Sequence, residues 1–134
     1  MKKKILFVCR HNRFRSKVAE AFFIKFSKGK FEVKSMGLKK DLTHDYVAKS
    51  VHDALMDKKV QVKDENAREI SEELIDWADK IVIVADNVPL DIFPKEKTEV
   101  WKISDCSEYD IDCVNRTVGE IEEKVKEFAK RLNV

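Results

Sequence analysis

The fold is decided near the N-terminus, where residues 4–16 read KILFVCRHNRFRS. Lys4–Val8 is a short, continuous apolar run, which is typical of a strand that is covered on both faces of a parallel sheet. From Ser16 onward, apolar residues recur at helical spacing, at Val18, Ala19, Phe22, Phe23 and Phe26. This spacing predicts an amphipathic helix that has Ser16 as its N-cap and ends at Gly29. The stretch is therefore predicted to form a strand, a short loop and a helix.

The alternation of strands and helices continues to the C-terminus. Three more strands are predicted, at Phe31–Ser35, Ile81–Val84 and Val100–Ile103. Three more helices are predicted, over Val47–Leu55, over a segment capped by Ser71 and ending at Ala78, and from the capping box Thr117-x-x-Glu120 onward. The order β-α-β-α-α-β-β-α predicts an α/β fold of three layers, in which a mostly parallel four-stranded sheet has helices on both faces.

Length and composition predict one domain, residues 1–134. A chain of 134 residues with 43% hydrophobic side chains is large enough for a single core. Its 27 Lys and Arg nearly balance its 25 Asp and Glu, so no chain-wide charge would attract nucleic acid or an anionic membrane. No apolar run approaches the roughly 18 residues needed to span a bilayer. We therefore expect neither nucleic acid nor a membrane as a partner.

The cysteine content favours a reducing compartment. The chain has three cysteines, Cys9, Cys106 and Cys113. An odd number in a chain of this size fits the cytoplasm, where disulfides are rare. The sequence therefore predicts a cytoplasmic protein in which at least one thiol is free.

The loop after the first strand combines a nucleophile with an anion receptor. Cys9 ends the strand, and Arg15 and Ser16 follow at the point where the helix begins. A short loop that enters a helix N-terminus aims backbone N–H groups inward, and the helix dipole adds positive potential there. Arg15 can donate two parallel hydrogen bonds to two oxygens of one anion. Because the same field favours the thiolate form of Cys9, the loop predicts a phosphate-binding site with a reactive thiol.

The charge of this loop points to an anionic ligand. Four cationic or potentially cationic side chains lie close together, Arg10, His11, Arg13 and Arg15. The charges of the chain otherwise balance. The mutual repulsion of these four side chains therefore predicts a bound anion that relieves this repulsion. Ligands of open parallel sheets bind beyond the carboxyl ends of the strands, so the segments after Val84 and Ile103 are expected near the same site.

At these residues the chain resembles the low-molecular-weight protein tyrosine phosphatases. The motif Val8-Cys9-x5-Arg15-Ser16, followed by Ala19-Glu20, is similar to their N-terminal signature. Further matches follow in the family's order: Ser35-x-Gly37, Trp77-Ala78-Asp79-Lys80-Ile81, Asp86 and Trp101-x-x-x-Asp105. The resemblance covers nearly the whole chain. It implies a strand order of 2-1-3-4 and a phosphatase that acts, without a cofactor or metal, on phosphotyrosine proteins or small aryl phosphates.

The resemblance also implies the roles of individual residues. Cys9 would attack phosphorus, Arg15 and the loop amides would hold the equatorial oxygens, and Asp105 would be the general acid. Ser16 would steady the thiolate, and Asn12 would prop the loop open through Ser35. The residues expected to bind substrate or an oxyanion such as inorganic phosphate are Arg10, His11, Asn12, Arg13, Phe14, Ser16 and Tyr109, of which Tyr109 would wall the pocket.

Several positions depart from the family's pattern. His11 stands where the family has glycine, and a positive φ there would strain it. Phe14 replaces a second cysteine that can protect the first from over-oxidation. Arg10 and Arg13 stand where apolar residues are common, which favours acidic phosphopeptides. The segment that follows Asp105 lacks the family's proline, so Asp110 and Asp112 remain alternative general acids.

Two other functions remain open. Related arsenate reductases use three cysteines, but their two additional cysteines flank the segment after the third strand, whereas Cys106 and Cys113 lie beside Asp105. A non-catalytic module that binds phosphate or a phosphopeptide is the second alternative. A zinc site formed by these two cysteines with His44 or His52 lacks a known ligand spacing, so no metal is expected.

Overall fold

A four-stranded sheet forms the centre of the computed structural model, which describes residues 2–134. Its strands are β1 (Lys3–Cys9), β2 (Phe31–Gly37), β3 (Lys80–Val84) and β4 (Thr98–Trp101). They pair in the order β2-β1-β3-β4, and every pairing is parallel. The predicted strand order 2-1-3-4 is therefore confirmed.

Helices cover both faces of this sheet. They are α1 (Arg15–Ser27), α2 (Lys49–Asp57), α3 (Glu72–Trp77) and α4 (Ile111–Arg131). Successive residues of β1 point to opposite faces, so Ile5 and Phe7 join the core under α1, α2 and α4. Leu6 and Val8 join the core on the α3 side. The predicted three-layer α/β fold is confirmed, and none of the helices within residues 2–134 is both long and apolar enough to cross a membrane.

Two of the predicted helix starts are wrong. Helix α1 begins at Arg15 with Phe14 as its N-cap, because the Ser16 hydroxyl is turned toward Cys9. Helix α4 begins at Ile111, well before Thr117. Its N-cap is Asp110, whose carboxylate accepts a 3.1 Å hydrogen bond from the backbone N–H of Cys113. Thr117 is buried in the interior of this helix. The pair Thr117 and Glu120 is compatible with the interior of a helix as well as with its start, so it does not mark the N-terminus here.

The other boundaries differ by a few residues. Ser71 caps α3 as predicted, because its hydroxyl accepts a hydrogen bond from the Leu74 N–H. Strand β4 starts at Thr98 and ends at Trp101 rather than Ile103. Helix α1 ends at Ser27, and both Lys28 and Gly29 have positive φ angles. These shifts leave the carboxyl ends of β1, β3 and β4 at one edge of the sheet.

Candidate active site

A cleft opens beyond the carboxyl end of β1. Its volume is about 70 Å³, several times the roughly 10–15 Å³ that a single water needs. It is bordered by residues 9–16, called here the phosphate loop, by residues 102–110, called the acid loop, and by parts of α2 and α4. The bordering residues are Cys9, His11, Arg13, Phe14, Arg15, Ala48, Val51, Asp105, Cys106, Glu108 and Val114. The structure thus brings Cys9, Arg15 and Asp105 to one cavity.

Cys9 occupies the end of β1, at the base of the cleft. It is 2% exposed, and its Sγ lies 3.0 Å from the Ser16 Oγ. Its backbone carbonyl accepts a 3.0 Å hydrogen bond from the Leu38 N–H, which extends the pairing of β1 with the segment after β2. The sulfur is therefore held at one place, with a hydroxyl that can donate to it.

A buried hydrogen-bond network holds the phosphate loop behind Cys9. The Asn12 amide nitrogen donates to the Ser16 hydroxyl at 2.7 Å and to the Ser35 hydroxyl at 3.0 Å. The Asn12 carbonyl oxygen accepts from the backbone N–H of Arg68 at 2.8 Å. Asn12 is fully buried and has a φ of 57°. The left-handed residue of the loop is thus Asn12, a residue type that tolerates this conformation, rather than His11.

The backbone of the phosphate loop offers donors to an anion. The N–H groups of residues 11–14 donate no hydrogen bond to any acceptor within residues 2–134. The loop is pressed against Gly37, where an added Cβ would lie 2.6 Å from the Asn12 nitrogen and 2.7 Å from the His11 carbonyl carbon. A glycine at the end of β2 therefore permits the close approach that gives the loop its shape.

A buried acid and a buried lysine lie beneath this network. Glu20 accepts a 2.7 Å hydrogen bond from the Ser35 hydroxyl, and Lys17 donates to the Asn66 carbonyl at 2.8 Å. Burial raises the pKa of Glu20, although the hydrogen bond from Ser35 and the charge of Lys17 act in the opposite direction. Burial likewise lowers the pKa of Lys17, against the attraction of Glu20. Both shifts disfavour the charged forms beneath the loop.

The Arg15 guanidinium is almost completely buried and joins the phosphate loop to two other segments. It donates to the Ile103 carbonyl at 2.7 Å and to the Asn87 side-chain oxygen at 3.0 Å. It also lies 3.5 Å from a carboxylate oxygen of Asp86 and 3.7 Å from one of Asp105. The acceptors around it fix the orientation of the guanidinium at the edge of the cleft.

Arg10 and His11 of the phosphate loop contact neighbouring loops. Arg10 donates to the Asn87 carbonyl at 3.1 Å, and the His11 Nδ1 lies 2.8 Å from the Lys39 carbonyl oxygen. Of these two, His11 borders the cleft and Arg10 lies outside it. Both side chains thus contact backbone carbonyls of neighbouring segments.

Arg13 ties the phosphate loop to the acid loop. It donates to the Tyr46 carbonyl at 2.9 Å and to the Glu108 carboxylate at 2.9 Å. Its guanidinium lies 5.5 Å from the centroid of the Tyr46 ring. Glu108 is not among the residues predicted at the site, and its position three residues after Asp105 is the sequence feature that could have suggested it.

The acid loop presents one carboxylate beside Arg15 and uses another to cap a helix. The Asp105 side chain is 46% exposed, and one of its oxygens accepts a 2.9 Å hydrogen bond from the Cys106 N–H. Asp110 caps α4, and Asp112 lies exposed in the first turn of that helix. Tyr109 is 84% exposed and lies outside the set of residues that border the cleft.

The two remaining cysteines form a disulfide. Cys106 in the acid loop is bonded to Cys113 in the first turn of α4, and Cys9 is the free cysteine. The prediction of at least one free thiol is confirmed, whereas the disulfide was not anticipated. Within residues 2–134, no group of three or more His, Cys, Asp and Glu side chains is arranged to hold a metal ion.

Fold and site together define a class of protein: a parallel α/β protein in which a cysteine and an arginine share the loop between the first strand and the first helix. The chain belongs to the low molecular weight phosphotyrosine protein phosphatase family, whose sequence profile matches residues 4–134. The family and the fold support an enzyme built around a reactive cysteine.

Similar proteins include both phosphatases and arsenate reductases. An arsenate reductase from Archaeoglobus fulgidus is 30% identical, with a TM-score of 0.77 over 94% of this chain and 98% of that one. A glutaredoxin arsenate reductase from Synechocystis is 25% identical over 98% of this chain and 99% of its own length. The YwlE arginine phosphatase from Geobacillus stearothermophilus is 23% identical, with a TM-score of 0.85 over 98% of this chain and 93% of that one.

Proposed function

We propose that the chain is a cytoplasmic phosphatase that hydrolyses phosphotyrosine or similar aryl phosphate monoesters through a phosphocysteine intermediate. The observation that carries this proposal is that Cys9, Arg15 and Asp105 border one cleft. A nucleophile, an oxyanion receptor and a proton donor are the three groups that this reaction needs.

In the first step the Cys9 thiolate attacks phosphorus, a sulfur–phosphorus bond forms, and the bond to the ester oxygen breaks. The N–H groups of residues 11–14, which have no acceptor within residues 2–134, and the Arg15 guanidinium stabilise the negative charge on the equatorial oxygens. The Ser16 hydroxyl, 3.0 Å from the sulfur, stabilises the thiolate before attack and as the leaving group.

Asp105 is the general acid of this mechanism. It protonates the departing phenolate in the first step, and in the second it takes a proton from the water that attacks the phosphocysteine. Its side chain is half-exposed at the mouth of the cleft, where a leaving group would emerge. The Asp110 carboxylate caps α4 by accepting a hydrogen bond from the Cys113 N–H, which favours Asp105 over Asp110 as the general acid.

The walls of the cleft favour an aromatic leaving group. Four apolar side chains border it, Phe14, Ala48, Val51 and Val114, and an aryl ring can bury its surface against them. Arg13, which also borders the cleft, adds positive charge, which suits acidic residues around a phosphotyrosine. Arg10 lies outside the cleft and extends this positive surface. The exposed ring of Tyr109 offers an apolar contact to the substrate.

The proposal is tested by the release of phosphate from aryl phosphates that differ in leaving group. Cys9→Ser should abolish release from all of them. Asp105→Asn should slow phenyl phosphate by about 10²–10⁴-fold, the usual contribution of general acid catalysis. It should slow para-nitrophenyl phosphate much less, because nitrophenolate leaves without a proton. Asp112→Asn is the matched control, because Asp112 is an exposed carboxylate in the first turn of α4. This variant should resemble the wild type.

Other outcomes assign a different function. Full activity of Cys9→Ser excludes the phosphocysteine, and a leaving-group dependence in Asp112→Asn rather than Asp105→Asn would reassign the acid. Faster release from a phosphoarginine peptide than from a phosphotyrosine peptide would replace the substrate class. Tight phosphate binding without any release would identify a binding module.

Arsenate reduction is a second candidate, favoured by the presence of Cys106 on the same cleft as Cys9. Reduction of arsenate to arsenite needs two electrons, which the Cys106 and Cys113 thiols can supply when they form their disulfide. Arsenite release should then require a dithiol reductant and should be lost in Cys106→Ser, while aryl phosphate hydrolysis persists. Absence of arsenite release from the reduced wild type removes this candidate.

A further inference from the structure

The Cys106–Cys113 disulfide lies at the nucleophile rather than at a remote part of the fold. Cys106 borders the same cleft as Cys9, and that cleft has a volume of about 70 Å³. Of residues 2–134, Cys106 is the one other cysteine on its wall. Cys113 lies one step farther away, in the first turn of α4, and is bonded to Cys106. Cys106 therefore shares the cleft with Cys9 and is bonded to Cys113.

The local structure does not need this disulfide to hold the helix start. Asp110 already caps α4 through the Cys113 N–H, and Val114, Val118 and Ile121 anchor the helix in the core. In a reducing compartment, the disulfides that occur are usually catalytic or redox-sensing. The bond joins Cys113 to a residue that borders the cleft of Cys9, and this position points to such chemistry.

We infer that Cys106 and Cys113 are a resolving pair, which removes the oxidation from Cys9 after a hydroperoxide such as hydrogen peroxide has attacked it. The inference concerns the thiol chemistry of Cys9 and does not depend on which phosphate ester the protein hydrolyses. Residues 9–16 contain no cysteine besides Cys9, so the partner comes from Cys106 in the acid loop.

The reaction has three steps. The Cys9 thiolate attacks hydrogen peroxide, a sulfur–oxygen bond forms, the O–O bond breaks, and hydroxide leaves with Cys9 as a sulfenic acid. The Cys106 thiolate then attacks the Cys9 sulfur, and a second hydroxide leaves as the Cys9–Cys106 disulfide forms. The Cys113 thiolate attacks Cys106 and releases the Cys9 thiolate.

Atoms and electrons balance over the cycle. One hydrogen peroxide and the two thiols of Cys106 and Cys113 give one disulfide and two waters, and a dithiol reductant returns the pair to thiols. The end product has Cys9 free and Cys106 bonded to Cys113, which is the arrangement seen in the structure. The Thr117 hydroxyl, 3.3 Å from the Cys106 sulfur, can donate to that sulfur when it is the thiolate.

The experiment follows the mass of the Cys9 peptide after peroxide treatment of the fully reduced full-length protein. Wild type should return to a free Cys9 with a Cys106–Cys113 disulfide. Cys113→Ser should accumulate a Cys9–Cys106 disulfide, because the last step is blocked. Cys106→Ser should accumulate the sulfinic acid of Cys9 several-fold above wild type, because the first resolving step is blocked.

The controls separate this role from a structural one. Far-ultraviolet circular dichroism of the reduced variants should match the reduced wild type, and hydrolysis of para-nitrophenyl phosphate before peroxide should be retained in Cys113→Ser. Equal yields of Cys9 sulfinic acid in wild type and in the Cys106→Ser, Cys113→Ser double variant would overturn the inference. A Cys9–Cys113 disulfide in Cys106→Ser, formed as fast as the wild-type pair, would overturn it as well.

The readout also distinguishes this inference from the proposed phosphatase. If phosphate release is never observed but Cys113→Ser still traps the Cys9–Cys106 disulfide, the resolving pair stands and the phosphatase fails. If release is observed and no trapped disulfide forms, the phosphatase stands and the resolving pair fails.

Discussion

The Arg15 guanidinium donates a 2.7 Å hydrogen bond to the backbone carbonyl of Ile103. Ile103 is 1% exposed and lies two residues before Asp105, so the arginine of the phosphate loop is attached directly to the base of the acid loop. The anion receptor and the proposed proton donor are thus held relative to each other by one buried hydrogen bond.

Replacement of Arg15 by lysine should disable the site although the charge is kept. A lysine cannot donate to the Ile103 carbonyl and the Asn87 oxygen while also presenting a planar pair of N–H groups to an oxyanion. Loss of one oxyanion donor costs about 10²–10³-fold in kcat, which para-nitrophenyl phosphate hydrolysis will measure. Arg10→Lys is the control, because Arg10 contacts Asn87 outside the cleft, and it should retain most of the activity. Equal losses in the two variants would contradict the role given to Arg15.

Arg13 and Glu108 should act as a unit. Their 2.9 Å ion pair joins the phosphate loop to the acid loop, and both side chains are mostly buried. Arg13→Gln and Glu108→Gln should each lower kcat/KM severalfold by loosening the acid loop. Because the two groups are in direct contact, the double variant should be less impaired than the product of the single effects, with a coupling of about 0.5–3 kcal/mol. Fully additive effects would show that the pair does not hold the loops together.

Gly37→Ala should damage the phosphate loop from behind. The added Cβ would lie 2.6 Å from the Asn12 nitrogen, a contact with backbone that requires the loop to shift. We expect a large loss of kcat together with reduced stability in urea. Gly119→Ala is the matched control, since nothing lies within 4 Å of its added Cβ and it is in the interior of α4. That variant should gain about 0.5–1 kcal/mol. A fully active Gly37→Ala would show that the close approach is not needed.

Glu20→Gln should change how stability depends on pH. Burial raises the pKa of Glu20 above its ordinary value of 4.5, so the folded chain binds more protons than the unfolded chain between 4.5 and the raised pKa. The stabilisation due to the protonated carboxyl is complete below 4.5 and is lost as the pH rises through the folded-state pKa.

Urea unfolding from below pH 4.5 to neutrality will measure this dependence. Glu20→Gln keeps an oxygen that can accept from Ser35 and lacks the titration, so its free energy of unfolding should gain on that of the wild type as the pH rises. The exposed Glu123→Gln serves as the control and should run parallel to the wild type. Parallel curves for Glu20→Gln and the wild type would contradict the raised pKa.

Two substitutions of Asp110 separate helix capping from acid catalysis. Asp110→Asn keeps a side-chain oxygen for the Cys113 N–H and should preserve both stability and kcat, because asparagine is an equally good N-cap. Asp110→Ala should lose about 1 kcal/mol of stability with little change in the leaving-group dependence of hydrolysis. A leaving-group dependence in Asp110→Asn like that expected for Asp105→Asn would identify Asp110 as the acid.

The strand, loop and helix around Cys9 and Arg15, as well as the family of the chain, could be predicted from the sequence. These are local properties. The apolar run of β1 and the helical spacing of Val18 to Phe26 depend on neighbouring residues, and the motif depends on a spacing of a few positions. The parallel sheet followed because alternating strands and helices leave few topologies, and the strand order 2-1-3-4 followed from the resemblance to the family.

The side-chain contacts of the site, in contrast, could be recognised only in the folded chain. The contacts of Arg15 with Ile103, of Arg13 with Glu108 and of Cys106 with the Cys9 cleft join residues that are far apart in the chain. The predicted start of α4 is wrong because a capping box shows only that its residues are compatible with a helix start. Asp110 is the actual N-cap, and its position depends on the path of the acid loop. Such pairings depend on how loops pack in three dimensions, and no local periodicity encodes that packing.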